Sequence, residues 1–463
     1  MSDDSTVEIA DAIIVIGPSP SKKMLGALLS TILLSSIVLA FAMNTNPDVD
    51  NTSSEEEGEQ DQWRAFSVVA PIDTGINVYH EHFRNNETLP AWLGQQLGVT
   101  ITCNLTFEGS YQEMVDADRE GCWDLIGSDD VVYFEGTRIF GQSPDWTEGD
   151  GTPILDDPND GHGSAVTGAV VNANPNVIIF FVEGFSTEAV LTAANQPLVD
   201  VITTSFGAPG SLPVPGIELG TKEAVVSQMK LHAGAADNSP SPAVQDATAG
   251  PPWSIGIAGY AEEGDDQKEI MSGSYPDISA DWTQVLPNHQ DVDGYHETSG
   301  TSFATPRTAG IISFVLEELR DQFSDDGSGA SPSNRSGNLV NGTDVEGNPV
   351  QIKNYDVREA INLSAWYPDL DWDPTSGTMP ISPVAPCTQT GWGLMNLSNI
   401  EPIIKHLNGS QELPSRASDV VLCMQLNQQA REAYWGAYPS IQHLMITPRT
   451  TAGDEGAATR DQV

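Results

Sequence analysis

Short apolar runs recur along the chain, each followed by a stretch with helical spacing. Phe66 to Ile72, Val177 to Glu183, Val199 to Ser205 and Ser254 to Gly259 are runs of β-branched, aromatic and small residues. That is the pattern of strands buried on both faces. Helices are expected after His162, from Ser186 to Asn195, near Glu223 to Met229, and from Ser302 to Leu319. The alternation predicts an α/β domain of three layers, with a mostly parallel central sheet between helices. Turn residues (Gly327, Gly329, Pro332, Asn341-Gly342, Glu346-Gly347) crowd the stretch from Asp321 to Val350 and predict a surface insertion.

One apolar run is of a different kind. Met24 to Met43 carries no charge and has the length of about 20 residues that a helix needs to cross a bilayer. Lys22 and Lys23 precede it, and an acidic run (Glu55, Glu56, Glu57, Glu59) follows. The positive-inside rule then makes 1–23 a cytoplasmic tail and 24–43 a transmembrane signal-anchor. Residues 44–63 form a polar, acidic linker, 64–408 the globular domain and 409–463 a C-terminal extension. The expected location is the cell membrane, single-pass, with the domain outside. The alternative is a secreted protein cut near Ala42, because Ala40-Phe41-Ala42 has the form signal peptidase prefers. Sequons at Asn86, Asn104, Asn341 and Asn408 are usable on an exported chain.

Charge narrows the partners. There are 65 acidic and 19 basic residues, a formal −46, and a surface of that sign repels phosphate backbones, which argues against nucleic acid. The plainest reading is a heavily solvated acidic surface. Four cysteines are too few for a disulfide scaffold. Two local bridges (Cys103 near Cys122, Cys387 and Cys423 later) would suit an oxidising compartment, and buried free thiols are the other reading. No CxxC pair or Cys/His cluster marks a metal site.

The chemistry gathers in three segments. Val68-Val69-Ala70-Pro71-Ile72-Asp73-Thr74-Gly75 sets an aspartate at the C-terminal end of a buried strand, the sheet edge where ligands collect. Asp-Thr-Gly also ends strands as a plain turn. It mimics the aspartic protease loop too, but no second copy exists to share the proton. Asp160-Gly161-His162-Gly163-Ser164-Ala165-Val166 puts a histidine between glycines at a helix start. Gly300-Thr301-Ser302-Phe303-Ala304-Thr305-Pro306 puts a serine at a helix entrance, with Pro306 expected in the first turn. There the Ser302 N–H and the helix dipole face developing negative charge.

Asp, His and Ser in that order, on D-T-G, G-H-G-S-x-V and G-T-S-F-A-T-P, resemble the subtilisin-like serine proteases. The likeness runs from about Phe66 to Leu407. It implies a serine endopeptidase acting on polypeptide substrates, with Asp73, His162 and Ser302 as its triad. Thr204-Ser205-Phe206-Gly207 resembles the strand that pairs with substrate main chain, which implies binding roles for Ser205 and Gly207. His80-Glu81-His82-Phe83 resembles the segment after the family's Asp, so these histidines are read as structural. Gly391-Trp392-Gly393-Leu394-Met395-Asn396 resembles the turn opening the domain's last helix. For the oxyanion donor the family has an Asn after Gly. Here Asp237-Asn238 stands instead, and spacing with the downstream Gly250-Pro251-Pro252-Trp253 favours Asn238.

The resemblance implies no required cofactor; calcium is compatible with such a domain, but no residues mark a site for it. Two departures stand out. Residues 44–65 leave no room for a folded pro-domain, and a long insertion of unread role separates Asp73 from His162. The rival reading is a catalytically inactive relative serving as a cell-surface binding or structural protein. It gives no reason for three intact motifs in triad order.

Overall fold

A computed structural model describes residues 65–436, apart from 86, 88, 157, 208–213, 239–247, 264–266, 271, 273–274, 326–336 and 368–386. The proposed membrane segment 24–43 lies outside the described residues. Among those described, no helix is long and apolar enough to cross a membrane.

The strands are β1 (Val68–Asp73), β2 (Ile101–Asn104), β3 (Val132–Glu135), β4 (Ile139–Gln142), β5 (Ile178–Glu183), β6 (Val201–Thr204), β7 (Leu231–Ala235), β8 (Ile255–Glu263), β9 (Gln267–Ile270), β10 (Ile278–Asp281), β11 (Thr283–Pro287), β12 (Tyr295–Ser299), β13 (Val340–Thr343), β14 (Pro349–Ile352) and β15 (Leu394–Met395). The helices are α1 (Ala91–Leu97), α2 (Tyr111–Asp118), α3 (His162–Ala173), α4 (Thr187–Asn195), α5 (Pro215–Lys222), α6 (Thr301–Gln322), α7 (Asn354–Ser364), α8 (Cys387–Thr390), α9 (Ile400–Leu407) and α10 (Ser418–Gly436).

One sheet runs β15-β10-β8-β7-β6-β1-β5-β4-β3-β2, with β9 beside β8. Its pairs are parallel except β3/β4 and β8/β9. The expected α/β architecture is therefore present. Alternation along β1 and β5 feeds two cores. Val69, Ile179 and Phe181 pack with Ala304, Ala309 and Ile312 of α6, while Val68, Ala70, Ile178 and Phe180 pack with Leu93, Ala189, Val190 and Ile217. Asp73 shares the parity of Val69 and so faces the side that carries α3 and α6.

The helix expected near Glu223 is the tail of a longer one. α5 begins with Pro215 in its first turn and continues as a π turn, Glu223–Ser227. Glycines hide its start in the sequence, and they are there for packing: a Cβ on Gly220 would stand 2.6 Å from Val190 Cγ1 of α4.

The insertion after Asp73 extends the sheet. It supplies β2, β3 and β4, and β4 pairs with β5. Cys103 and Cys122 form a disulfide there. Trp123 Nε1 donates to Tyr79 Oη at 2.9 Å, and Tyr79 Oη donates to Asp118 Oδ2 at 2.9 Å. Of the stretch expected as a surface insertion, Gly327, Gly329 and Pro332 lie outside the described residues, and Asn338, Leu339 and Val340 are buried. Fully buried Arg320 reaches it, donating to the Leu339 carbonyl and pairing with Asp200 at 2.6 Å.

Beyond residue 408 the chain turns back. A second disulfide joins Cys387 to Cys423 on α10. Farther along α10, Arg431 binds Asp277 at 2.9 Å and the carbonyls of Ala249, Gly250 and Pro251. Arg358 takes the other oxygen of Asp277 at 2.8 Å.

Candidate active site

Asp73 ends β1 fully buried, and His162 opens α3 with its side chain 7% exposed. His162 Nδ1 and Asp73 Oδ1 are 2.7 Å apart. Thr74 N–H donates to the same Asp73 oxygen at 2.9 Å, and His162 N–H donates to Asp160 Oδ1 at 3.0 Å. The glycines flanking His162 permit the approach. Gly161 has φ +113°, and a Cβ on Gly163 would meet the Gly75 carbonyl oxygen at 2.1 Å. Burial alone would lower the imidazole pKa. The Asp73 carboxylate reverses this by charge and hydrogen bond, with Asp160 and Asp156 behind it, and holds His162 above its ordinary value. Nε2, the nitrogen away from Asp73, is buried and has no hydrogen-bond partner among the described residues.

Ser302 is buried in the first turn of α6, where a backbone N–H has no acceptor inside the helix. Its Oγ donates to the Ser205 carbonyl at 3.4 Å. Pro306 departs from the expected first turn, because α6 starts at Thr301 and Pro306, five residues on, lies inside the helix. A proline there has no N–H for the carbonyl four residues back, which belongs to Ser302. The Ser205 hydroxyl supplies the missing donor, reaching the Ser302 carbonyl at 2.8 Å. The strand segment after β6 and the serine turn of α6 are thus bonded in both directions. Phe303 packs on His162, ring centroids 5.7 Å apart.

Asn238 is half-buried beside this turn. Thr301 donates to Asn238 Oδ1 from both its N–H, at 2.8 Å, and its hydroxyl, at 2.9 Å. With the carbonyl end so anchored, the amide end is the donor that remains. Asp237 holds φ +143°, a region that glycine occupies freely and other residues rarely do. Ser205 and Gly207 are both buried at the end of β6. The Phe206 carbonyl between them accepts from Thr248 Oγ1 at 3.0 Å.

His80 and His82 use their ring nitrogens on backbone: His80 Nε2 lies 2.8 Å from the Gly294 carbonyl, and His82 Nε2 3.3 Å from that of Gly168. Burial pushes both below their ordinary pKa. Leu394 and Met395, expected in a turn, form β15, and Asn396 caps the 3-10 turn that leads into α9. Among the described residues no group of three or more His, Cys, Asp or Glu could hold a metal ion.

Sequence reasoning missed Asp156, a buried carboxyl beside Asp73 and His162. Nothing marks it in the sequence, where it is one of three aspartates in Asp156-Asp157-Pro158-Asn159-Asp160.

A family model described as the subtilase family matches residues 66–341. No curated protein matches the chain. Similar solved structures include a lanthipeptide protease (15% identity, covering 76% of this chain and 90% of that one, TM-score 0.45). The prenylagaramide maturation protease PagA has 16% identity, coverages of 76% and 99%, and TM-score 0.41. Fervidolysin from Fervidobacterium pennivorans, a keratinolytic enzyme related to subtilisin, has 14% identity, coverages of 78% and 45%, and TM-score 0.43. With TM-scores this low, these structures stand as neighbours only. The family match spans more than half of the chain, including β1, α3 and the serine turn of α6, and on it the chain belongs to the subtilase family and is a serine endopeptidase.

Proposed function

We propose that Ser302 is the nucleophile of this endopeptidase, with His162 as its general base and Asp73 as the group that orients and charges the imidazole. The observation that carries the reading is the buried 2.7 Å His162–Asp73 pair with Nε2 left unpartnered. Ser302 Oγ leaves the Ser205 carbonyl, gives its proton to Nε2 and attacks the peptide carbonyl. Asp73 stabilises the imidazolium, which then protonates the leaving amine. Asn238 Nδ2 and the Ser302 N–H stabilise the tetrahedral oxyanion. The Ser205 carbonyl, freed by the turn of Ser302, accepts from substrate main chain laid along Ser205–Gly207 as an added strand. A fluorophosphonate tests this directly: the protein should be labelled and Ser302→Ala should not. Labelling that persists in Ser302→Ala would place the nucleophile elsewhere.

A general base must be neutral to accept the proton, and His162 is held above its ordinary pKa. kcat/KM is therefore expected to fall on acidification through an apparent pKa above the ordinary value of about 6.5. An acid limb well below that value would contradict the electrostatics described.

We propose also that the domain is displayed outside the cell membrane on the helix at 24–43. Two disulfides support export, as do the lysines before the apolar run. Protease added to intact cells should digest the domain, and the chain should stay with membranes through a carbonate wash. A soluble mature form beginning at Met43 would show cleavage after Ala42 instead.

A further inference from the structure

We propose that Asp156 is a positioning residue, whose buried carboxylate ties the loop after Asp73 to the first turn after His162 and so aims that pair. The inference rests on the triad reading above. Asp156 Oδ1 accepts from Thr74 Oγ1 at 3.1 Å, and Oδ2 accepts from the N–H of Ser164 at 3.0 Å and from its hydroxyl. Thr74 Oγ1 in turn accepts from Gly163 N–H at 3.1 Å, and Ser164 Oγ accepts from Asn77 N–H at 2.8 Å. Thr74 follows Asp73 and Gly163 follows His162, so one carboxylate joins the neighbours of both.

The segment carrying Asp156 is itself fixed. Ile154 has φ +69°, rare for a β-branched residue. Its N–H donates to Glu183 Oε2 at 2.6 Å, and its carbonyl accepts from Ile76 N–H at 2.8 Å. A Cβ on Gly75 would come 2.7 Å from Asp156 Cα, so the two backbones touch.

Asp156 does no chemistry, and its effect comes through geometry and charge. The titratable groups facing it are Asp73, Asp160, His162 and Tyr111. Burial pushes its own pKa up to about 8, against the opposing hydrogen bonds from Ser164. When ionised it adds to Asp73 in holding His162 up.

The test is kcat per fluorophosphonate-titrated site in the full chain. Asp156→Ala should lower kcat by about 10²-fold, the cost of a misaimed catalytic group, with KM little changed. Asp156→Asn should recover about tenfold of that loss, because its amide can accept from Ser164 and donate to Thr74. Thr74→Val, nearly isosteric, should also lower kcat. A merely structural role would reduce Tm and the titratable fraction but leave kcat per site in place. That result in Asp156→Asn and Thr74→Val overturns the proposal, even if Asp156→Ala does not fold. Failure of the triad reading would look different: Ser302→Ala would itself stay active.

Discussion

Ser302→Ala is expected to lower kcat by about 10⁶ with little change in KM, the scale known for such a substitution in subtilisin itself. The loss is total for one route of catalysis, since the hydroxyl proposed as nucleophile is then gone. His162→Ala should cost as much, because Ser302 without its base is a neutral alcohol. The double variant should be no worse than either single one, as expected of groups that act as a unit. Asp73→Ala should cost somewhat less. It leaves nucleophile and base present but removes the partner that fixes the Nδ1 tautomer and stabilises the imidazolium. Peptide hydrolysis assays on the purified domain measure all four. Near-normal turnover in Ser302→Ala, or losses that multiply in the double variant, would break the assignment.

Asn238→Ala is expected to lower kcat by about 10²–10³, again at nearly constant KM. The amide is anchored through Oδ1 by Thr301. In the role proposed for it, the amide would aim a donor at an oxygen that reaches its place only in the tetrahedral intermediate. Substrate held along Ser205–Gly207 should bind as before. Asp237→Gly should leave kcat intact or raise it. It removes the acidic side chain next to the proposed donor and relieves a backbone held at φ +143°, for a stability gain on the order of 1 kcal/mol. The opposite pattern, tolerance at Asn238 and collapse at Asp237, would mean that a protonated Asp237 is the donor. Activity would then fall as pH rises through its pKa.

The centre of this fold was legible because its signals are local. β1, β5 and β6 are continuous apolar runs, and in a parallel sheet both faces are buried, so little else fits such a run. The histidine and serine turns were legible for a related reason: close backbone approach demands glycine, and Gly161 and Gly163 flank His162 in the sequence as in space. What stayed hidden depends on partners far along the chain. Pro306 reads as a first-turn proline until Ser205 is seen at the freed Ser302 carbonyl, 97 residues away. The α5 helix is masked by glycines whose purpose is contact with α4. β2, β3 and β4 are short strands in an irregular stretch, and their pairing depends on β5 rather than on their own pattern. Asp156 has the sequence of a solvated acidic loop, and only burial between two backbones reveals it.

The first strand of the domain lies at the middle of the sheet, and this bears on how long a molecule survives once made. Val68 N–H is bonded to Asp200, 132 residues on; Ser67 to Glu317, 250 residues on; and Phe66 to Arg320, 254 residues on. Contacts of that span reward the chain only after the entropy of closing very large loops has been met, which slows folding. Opening the core must break these buried bonds together with the Arg320–Asp200 pair, which makes it rare. For a peptidase surrounded by copies of itself, cleavage of the core waits on that opening, and the same long-range latches that delay assembly lengthen the lifetime of the finished enzyme against self-digestion.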